Sequence, residues 1–154
     1  MASQVQPIPE GYHSVTPYLV VAGSAAAIDF YRQAFGATEL MRFPGPDGKV
    51  AHAEIRVGDS VIMLADEAPD WGAFGPKTVG GTPVTLMVYV PDVDAVVAQA
   101  VEAGAKLTRP VEDKFYGDRS GRIEDPFGHL WDVSTHVEDV APDELQRRMA
   151  AMGG

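Results

Sequence analysis

The chain reads one order of elements twice, about 68 to 70 residues apart, and this repeat constrains the fold more than any single segment does. In the first copy "HSVTPYLVV", residues 13–21, is rich in β-branched and aromatic residues and predicts a strand, with Pro17 at an edge or a bulge. "GSAAAIDFYRQAFGA" then switches to helical spacing through Ile28, Tyr31 and Phe35, with Ser24 as the expected N-cap and Gly36 as the stop. "TELMRF", the turn "PGPDGK", and the pair "VAHAEIRV" and "SVIMLAD" joined by "GD" supply three further strands. After a stretch rich in Gly and Pro the order begins again with "VTLMVYV". The helix "PDVDAVVAQAVEAGA" follows, capped by Asp92 and ended at Gly104. A strand to about Val111 leads to a hairpin whose arms, "SGRIE" and "HLWDVST", turn at "DPFG". Two βαβββ units are expected at about 13–66 and 84–136, with a closing helix at about 142–152, all within one domain of 154 residues. One such unit cannot bury both faces of its sheet, so each helix should cover one face. The fold class is α+β, two paired units forming a curved mixed sheet around a cleft.

Composition then removes several kinds of chemistry. A net charge of -10 opposes a phosphate backbone or an anionic leaflet, and no run of Lys or Arg offsets it, so neither nucleic acid nor membrane is expected as a partner. Without cysteine there is no disulfide, no thiolate metal site and no thiol nucleophile. The start "MASQVQPIPEGYH" has neither a basic region nor an apolar run, and no apolar segment approaches a membrane span, which makes the cytoplasm the expected location.

Strand alternation assigns faces. Ala53, Ile55 and Val57 form the apolar set that should meet a helix, leaving His52, Glu54 and Arg56 for the other face. Pairing outward from the "GD" turn sets Val61 opposite Arg56, Met63 opposite Glu54 and Ala65 opposite His52. In the second unit Leu86, Val88 and Val90 face the helix, and Thr85, Met87 and Tyr89 the cleft. His52 beside Glu54 has two readings: a general base held in one tautomer, with Arg56 nearby for an anion, or a solvated polar rim. Tyr116, Asp118, Arg119 and Arg122, in "FYGDRSGR", read either as ligand contacts or as structural ion pairs. Trp71 and Phe74, among glycines between the units, read as aromatic anchors on a flap or as plugs at a core edge. His129 lies beside the "DPFG" turn, on the face opposite Asp132, and reads as a hairpin histidine. His136, on the Asp132 face, is a further candidate for ligand contact.

The paired units, with "AIDFYRQAFGA" on the first helix and "GDRSGRIEDPFGHLWDVSTH" near the end, resemble the vicinal oxygen chelate superfamily, the glyoxalase and bleomycin-resistance group. "HAEIRVGDSVIMLADE" and "YGDRSGRIEDPFGH" are most similar to its PhnB-like branch. The resemblance implies a homodimer and places the ligand positions of the family's metal enzymes at Thr16, Met63, Thr85 and Asp132. Of these only Asp132 is a ligand type, whereas a divalent ion held by His and carboxylates needs about three protein donors. The expectation is therefore a small-molecule-binding protein without metal or other cofactor, serving resistance or sequestration. His52 and Glu54 are the candidate catalytic pair. Arg56, Met63, Trp71, Thr85, Met87, Tyr89, Tyr116, Arg119 and Asp132 are the candidate ligand contacts. Two alternatives stand beside it: a lyase or isomerase using His52 and Glu54, and a metal enzyme recruiting His52, Glu54 and Asp132.

Overall fold

A computed structural model describes residues 4–153. The chain divides between Gly81 and Thr82 into two compact units. The first holds β1 (Tyr18–Val21), α1 (Ser24–Phe35), β2 (Thr38–Pro44), β3 (Val50–Val57), β4 (Ser60–Asp66) and a one-turn α2 (Pro76–Val79). The second holds β5 (Thr85–Tyr89), α3 (Val93–Glu102), β6 (Lys106–Asp113), β7 (Asp118–Glu124), β8 (Leu130–His136) and α4 (Pro142–Gly153). Each unit builds a four-stranded mixed sheet, in the orders β1-β4-β3-β2 and β5-β8-β7-β6, with its first strand parallel to its last. The α+β class and the repeated βαβββ order are as expected from the sequence.

The expected register of the first hairpin holds from the Gly58–Asp59 turn outward, with Arg56 paired to Val61 and Glu54 to Met63, and the ladder ends at Ala53–Leu64, one position short of the expected Ala65–His52 pair. Ala53 and Ile55 are fully buried and Val57 nearly so, on the side where α1 lies against β3. In the second unit Leu86 pairs with Trp131 and Val88 with Val133, which puts them on the face of the buried Ile123, Trp131 and Val133. Each sheet thus has a helix-covered face and an open face.

Three local readings need correction. β1 starts after Pro17 rather than at His13, because Pro17 has no N–H for a ladder. Its carbonyl still accepts from the Met63 N–H at 2.9 Å. The stretch rich in Gly and Pro between the units, to which the sequence assigns no element, contains α2, which opens on Pro76 as a first helical residue favours. Ser24 is not the N-cap of α1. That position is Gly23, at φ 107°, and the Ser24 hydroxyl is buried without a hydrogen-bond partner among the described residues. The capping acceptor comes instead from the end of β4. Asp66 takes the N–H groups of Gly23 and Ser24 on one oxygen, at 2.7 and 3.0 Å, and that of Val50 on the other, at 2.7 Å. The second unit repeats the device with a hydroxyl, since Thr135 accepts from the N–H of Val93 at 2.9 Å. Asp92 caps α3 as expected, accepting from Ala95.

Candidate functional site

On the open face of the first unit, pairing sets Tyr18 of β1 beside Met63 of β4 and Met63 beside Glu54 of β3. Two residues back along β3, His52 completes a polar chain. Its Nε2 lies 2.8 Å from Glu54 Oε2, and its Nδ1 lies 2.9 Å from the Tyr18 hydroxyl. The Tyr12 hydroxyl donates to the other Glu54 oxygen. An ionised carboxylate accepts only, so Nε2 carries the proton, and in the neutral ring Nδ1 accepts from Tyr18. Burial pushes the Glu54 carboxyl up, but the hydrogen bonds from Tyr12 and His52 outweigh it and leave the group below its ordinary range. The Tyr12 phenol is raised by its bond to Glu54, and the Tyr18 phenol by burial and by the charge of Glu54. Phe43 stacks on the other side of the His52 ring, with centroids 6.1 Å apart. Arg56 is exposed on this face, its guanidinium close over Gly11.

Two cavities flank this chain. One, of about 550 Å³, is lined by Tyr18, Val20 and Ala65 from the sheet, Lys49 and Ala51 from the β2–β3 region, and the segment Asp66–Trp71. The other, of about 400 Å³, lies under the N-terminal segment and is lined by Pro7, Ile8, Tyr12, Thr16, Glu54 and Met63. Thr16 itself donates to the carbonyl of His13. Trp71 is 89% exposed and also lines the larger cavity. It is carried by a tied loop: Ala68 and Ala73 exchange backbone hydrogen bonds, Trp71 N–H donates to Ala68, and Glu67 accepts from the Gly75 N–H and the Thr78 hydroxyl. Trp71 therefore does not plug the core.

The second unit has a differently filled open face. Thr85, Met87 and Tyr89 alternate there as expected, with Met87 beside Asp132. Asp132 pairs with Arg122 on the neighbouring strand, Nε to Oδ1 at 2.7 Å and a terminal nitrogen to Oδ2 at 3.1 Å. This fork holds the guanidinium above its ordinary pKa and occupies both carboxylate oxygens. The buried Asp118 accepts from the Tyr89 hydroxyl at 3.0 Å and bonds His136 Nδ1 at 2.8 Å, while His136 Nε2 meets Asp139 at 2.7 Å. Asp139 first and then Asp118 raise the His136 pKa. Arg119 is on the other face, forked onto Asp94 in the first turn of α3 and bonded to Asp113. Tyr116 sits in the β6–β7 turn, edge-on to Phe115. Next to it Gly117 is at φ 102°, and a Cβ there would collide with the carbonyl of Glu138. At the "DPFG" turn the buried Asp125 accepts from the N–H groups of Phe127 and His129 and from the indole of Trp131.

Sequence reasoning missed Tyr12 and Tyr18. Tyr18 was within reach, because it alternates with Val20 on β1 against the buried Leu19 and Val21. Tyr12 gave no such signal, since it precedes every regular element.

The four positions matched to metal ligands do not form a donor set. Thr16 and Thr85 offer neutral hydroxyls, Met63 a thioether, and Asp132 a carboxylate already held by a guanidinium. No helix among the described residues is long and apolar enough to cross a membrane.

Known proteins agree with the fold. An uncharacterized protein of Mycobacterium bovis, Mb0911c, is 44% identical over 156 residues, covering 99% of each chain. The crystal structure of TioX from Micromonospora sp. ML1 matches with a TM-score of 0.65 at 28% identity, over 81% of this chain and 99% of that one. A PhnB protein from Bacillus cereus, described as a putative 3-demethylubiquinone-9 3-methyltransferase, shares the fold with a TM-score of 0.62 at 18% identity, over 80% of this chain and 99% of that one. The sequence pattern of the glyoxalase/bleomycin resistance protein/dioxygenase superfamily matches residues 11–133, and the chain belongs to that superfamily.

Proposed function

We propose that this protein binds a small organic molecule without a metal ion, as a cytoplasmic sequestering or resistance protein that works as a homodimer. The observation that carries the reading is the Arg122–Asp132 fork. The one carboxylate among the four positions that match the family's metal ligands is neutralised by a cation of the same sheet. A metal would have to displace that guanidinium and would find only hydroxyls and a thioether at the remaining positions. The 550 Å³ cavity of the first unit, within the usual range for ligands of drug size, supports binding. The charge of -10 speaks for an uncharged or cationic ligand and against nucleic acid. The test is metal content after purification without chelator, for which well below one equivalent of Zn, Fe, Mn or Ni is expected. A near-stoichiometric metal that is lost in Asp132→Asn overturns the reading.

The chain Tyr12–Glu54–His52–Tyr18 favours one second reading, a lyase or isomerase of metal-free acid/base chemistry. Glu54 fixes the proton on Nε2, which leaves Nδ1 as base. Tyr18, which also lines the cavity, would pass its proton to Nδ1 as it takes one from a substrate, and Glu54 would stabilise the imidazolium formed. A compound that raises the melting temperature and is then consumed, with turnover lost in His52→Ala and kept in His129→Ala, selects this reading. Stabilisation without consumption selects binding.

A further inference from the structure

We infer that the cavity of the first unit takes a flat aromatic cation, with Trp71 as its stacking surface, Asp70 as its counter-charge and the Tyr18 hydroxyl as its polar contact. The inference rests on the small-molecule reading above and adds the class of ligand.

Trp71 stands in an unusual position. A large indole that is 89% exposed has no packing role, yet the loop that carries it is held by the paired backbone bonds of Ala68 and Ala73 and by the bonds of Glu67 to Gly75 and Thr78. The ring is thus presented at small entropic cost, as a binding surface requires. Behind it the cavity wall is built from Val20, Val50, Ala51, Ala65 and Ala68, small or apolar side chains that leave a smooth slot. Electrostatics then choose the sign of the ligand. The charged side chains lining the cavity are Lys49 against Asp66, Glu67 and Asp70, one positive and three negative, on a chain that is itself acidic. Asp66 and Glu67 are bonded by backbone N–H groups and a hydroxyl, which fix both carboxylates at the cavity wall, and the bonds from Thr78 and Gly75 hold the Glu67 carboxyl below its ordinary range. Asp70, adjacent to Trp71 and exposed, is the carboxylate best placed to meet a ligand. An aromatic cation gains both from the indole face and from this field, whereas an anion of the same shape gains only from the first. Tyr18 has its hydroxyl proton directed to His52, which leaves its oxygen lone pairs to accept an N–H or O–H of the ligand.

The experiment compares two flat probes, proflavine as cation and pyrene-1-sulfonate as anion, by equilibrium dialysis against the full-length protein in about 150 mM salt, a concentration that screens distant surface charge. Trp71 and Trp131 are the two tryptophans, and Trp131 is buried, so quenching of solvent-exposed indole emission reports Trp71 alone. Proflavine is expected to bind and quench that emission, with pyrene-1-sulfonate weaker by about tenfold or more. Trp71→Ala should weaken proflavine by about tenfold, Asp70→Asn by about threefold, and Ala51→Phe, which fills the slot from an exposed position, should abolish binding. Thermal melts establish that each variant folds. Equal or tighter binding of the anion, still dependent on Trp71, overturns the assigned charge and leaves the small-molecule reading intact. Proflavine binding that Ala51→Phe leaves unchanged is surface stacking and overturns the site. Binding of neither probe overturns the ligand class, while the broader reading is decided separately by metal content.

Discussion

Two carboxylates show how neighbours decide what a charge can do. Asp132 and Arg122 are each only about one-fifth exposed, so their fork is formed where water competes weakly. Removing one partner strands the other. Asp132→Ala and Arg122→Ala are each expected to cost about 1–3 kcal/mol in urea unfolding, with the double variant costing clearly less than their sum. Strict additivity would show that the pair contributes nothing. Glu54 and His136 make opposite statements about pH. The folded Glu54 sits below its ordinary value of 4.5, so its contribution is complete above that value and is lost as pH falls through the folded one. The folded His136 sits above its ordinary value of 6.5, so its contribution is complete below that value and is lost as pH rises through the folded one. Melting temperatures from about pH 3 to 9 should therefore show an acid limb that Glu54→Gln flattens and an alkaline limb that His136→Gln flattens. A limb unchanged by its substitution assigns it to another group. At this scale the sequence was legible wherever alternation decides. It placed His52, Glu54, Met63 and Met87 on their faces and misplaced no β3 residue, whereas in β8 it separated Asp132 from Trp131 without deciding which set is covered. The partners were not legible. Tyr12 reaches Glu54 across 42 residues, and alternation says nothing of contacts so remote in sequence.

The helices give the same lesson for elements. The extent of α1 could be read from the spacing of Ile28 and Tyr31 and from the stop at Gly36, whose φ of 68° suits the left-handed end of a helix. Its start could not, because the capping oxygen belongs to Asp66, at the far end of another strand. Local rules expect the cap from the residue beside the helix, and here Ser24 has the right chemistry in the wrong place. Two substitutions separate these roles. Asp66→Ala leaves three backbone N–H groups without their acceptor and is expected to cost about 1–3 kcal/mol or more. Ser24→Ala removes a buried hydroxyl that bonds nothing among the described residues, and should be neutral or stabilising by up to about 1 kcal/mol. A Ser24→Ala loss comparable to that of Asp66→Ala would return the capping role to Ser24. Thr135 holds the corresponding place before α3, so an acceptor at the end of the last strand of each unit is part of the repeat itself.

For the whole molecule the repeat legible in the sequence becomes two compact units, each with one covered and one open sheet face. Ordinary globular sheets bury such a face or make it polar, and these do neither completely. Tyr18 is 50% exposed, Met87 48% and Tyr89 60%, all on open faces. Tyr18 and Tyr89 have their hydroxyls tied to His52 and Asp118, so their rings are held in place rather than free to turn away. Ordered aromatic surface of this kind is what a second copy would cover, and closed pairing around a two-fold axis is the commonest way for identical chains to do it. The proposed homodimer therefore makes a definite expectation. Size-exclusion chromatography with light scattering should give twice the chain mass of 16.5 kDa at micromolar concentration, and the melting temperature should rise with protein concentration, since association stabilises the folded chain by mass action. Met87→Glu, which adds a charge to the open face of an already acidic unit, should shift the protein toward monomer while leaving far-ultraviolet circular dichroism unchanged. A wild-type mass of one chain, with a melting temperature independent of concentration, would refute the dimer. The first-unit cavity would still be available to its ligand, because every residue lining it belongs to that unit of a single chain.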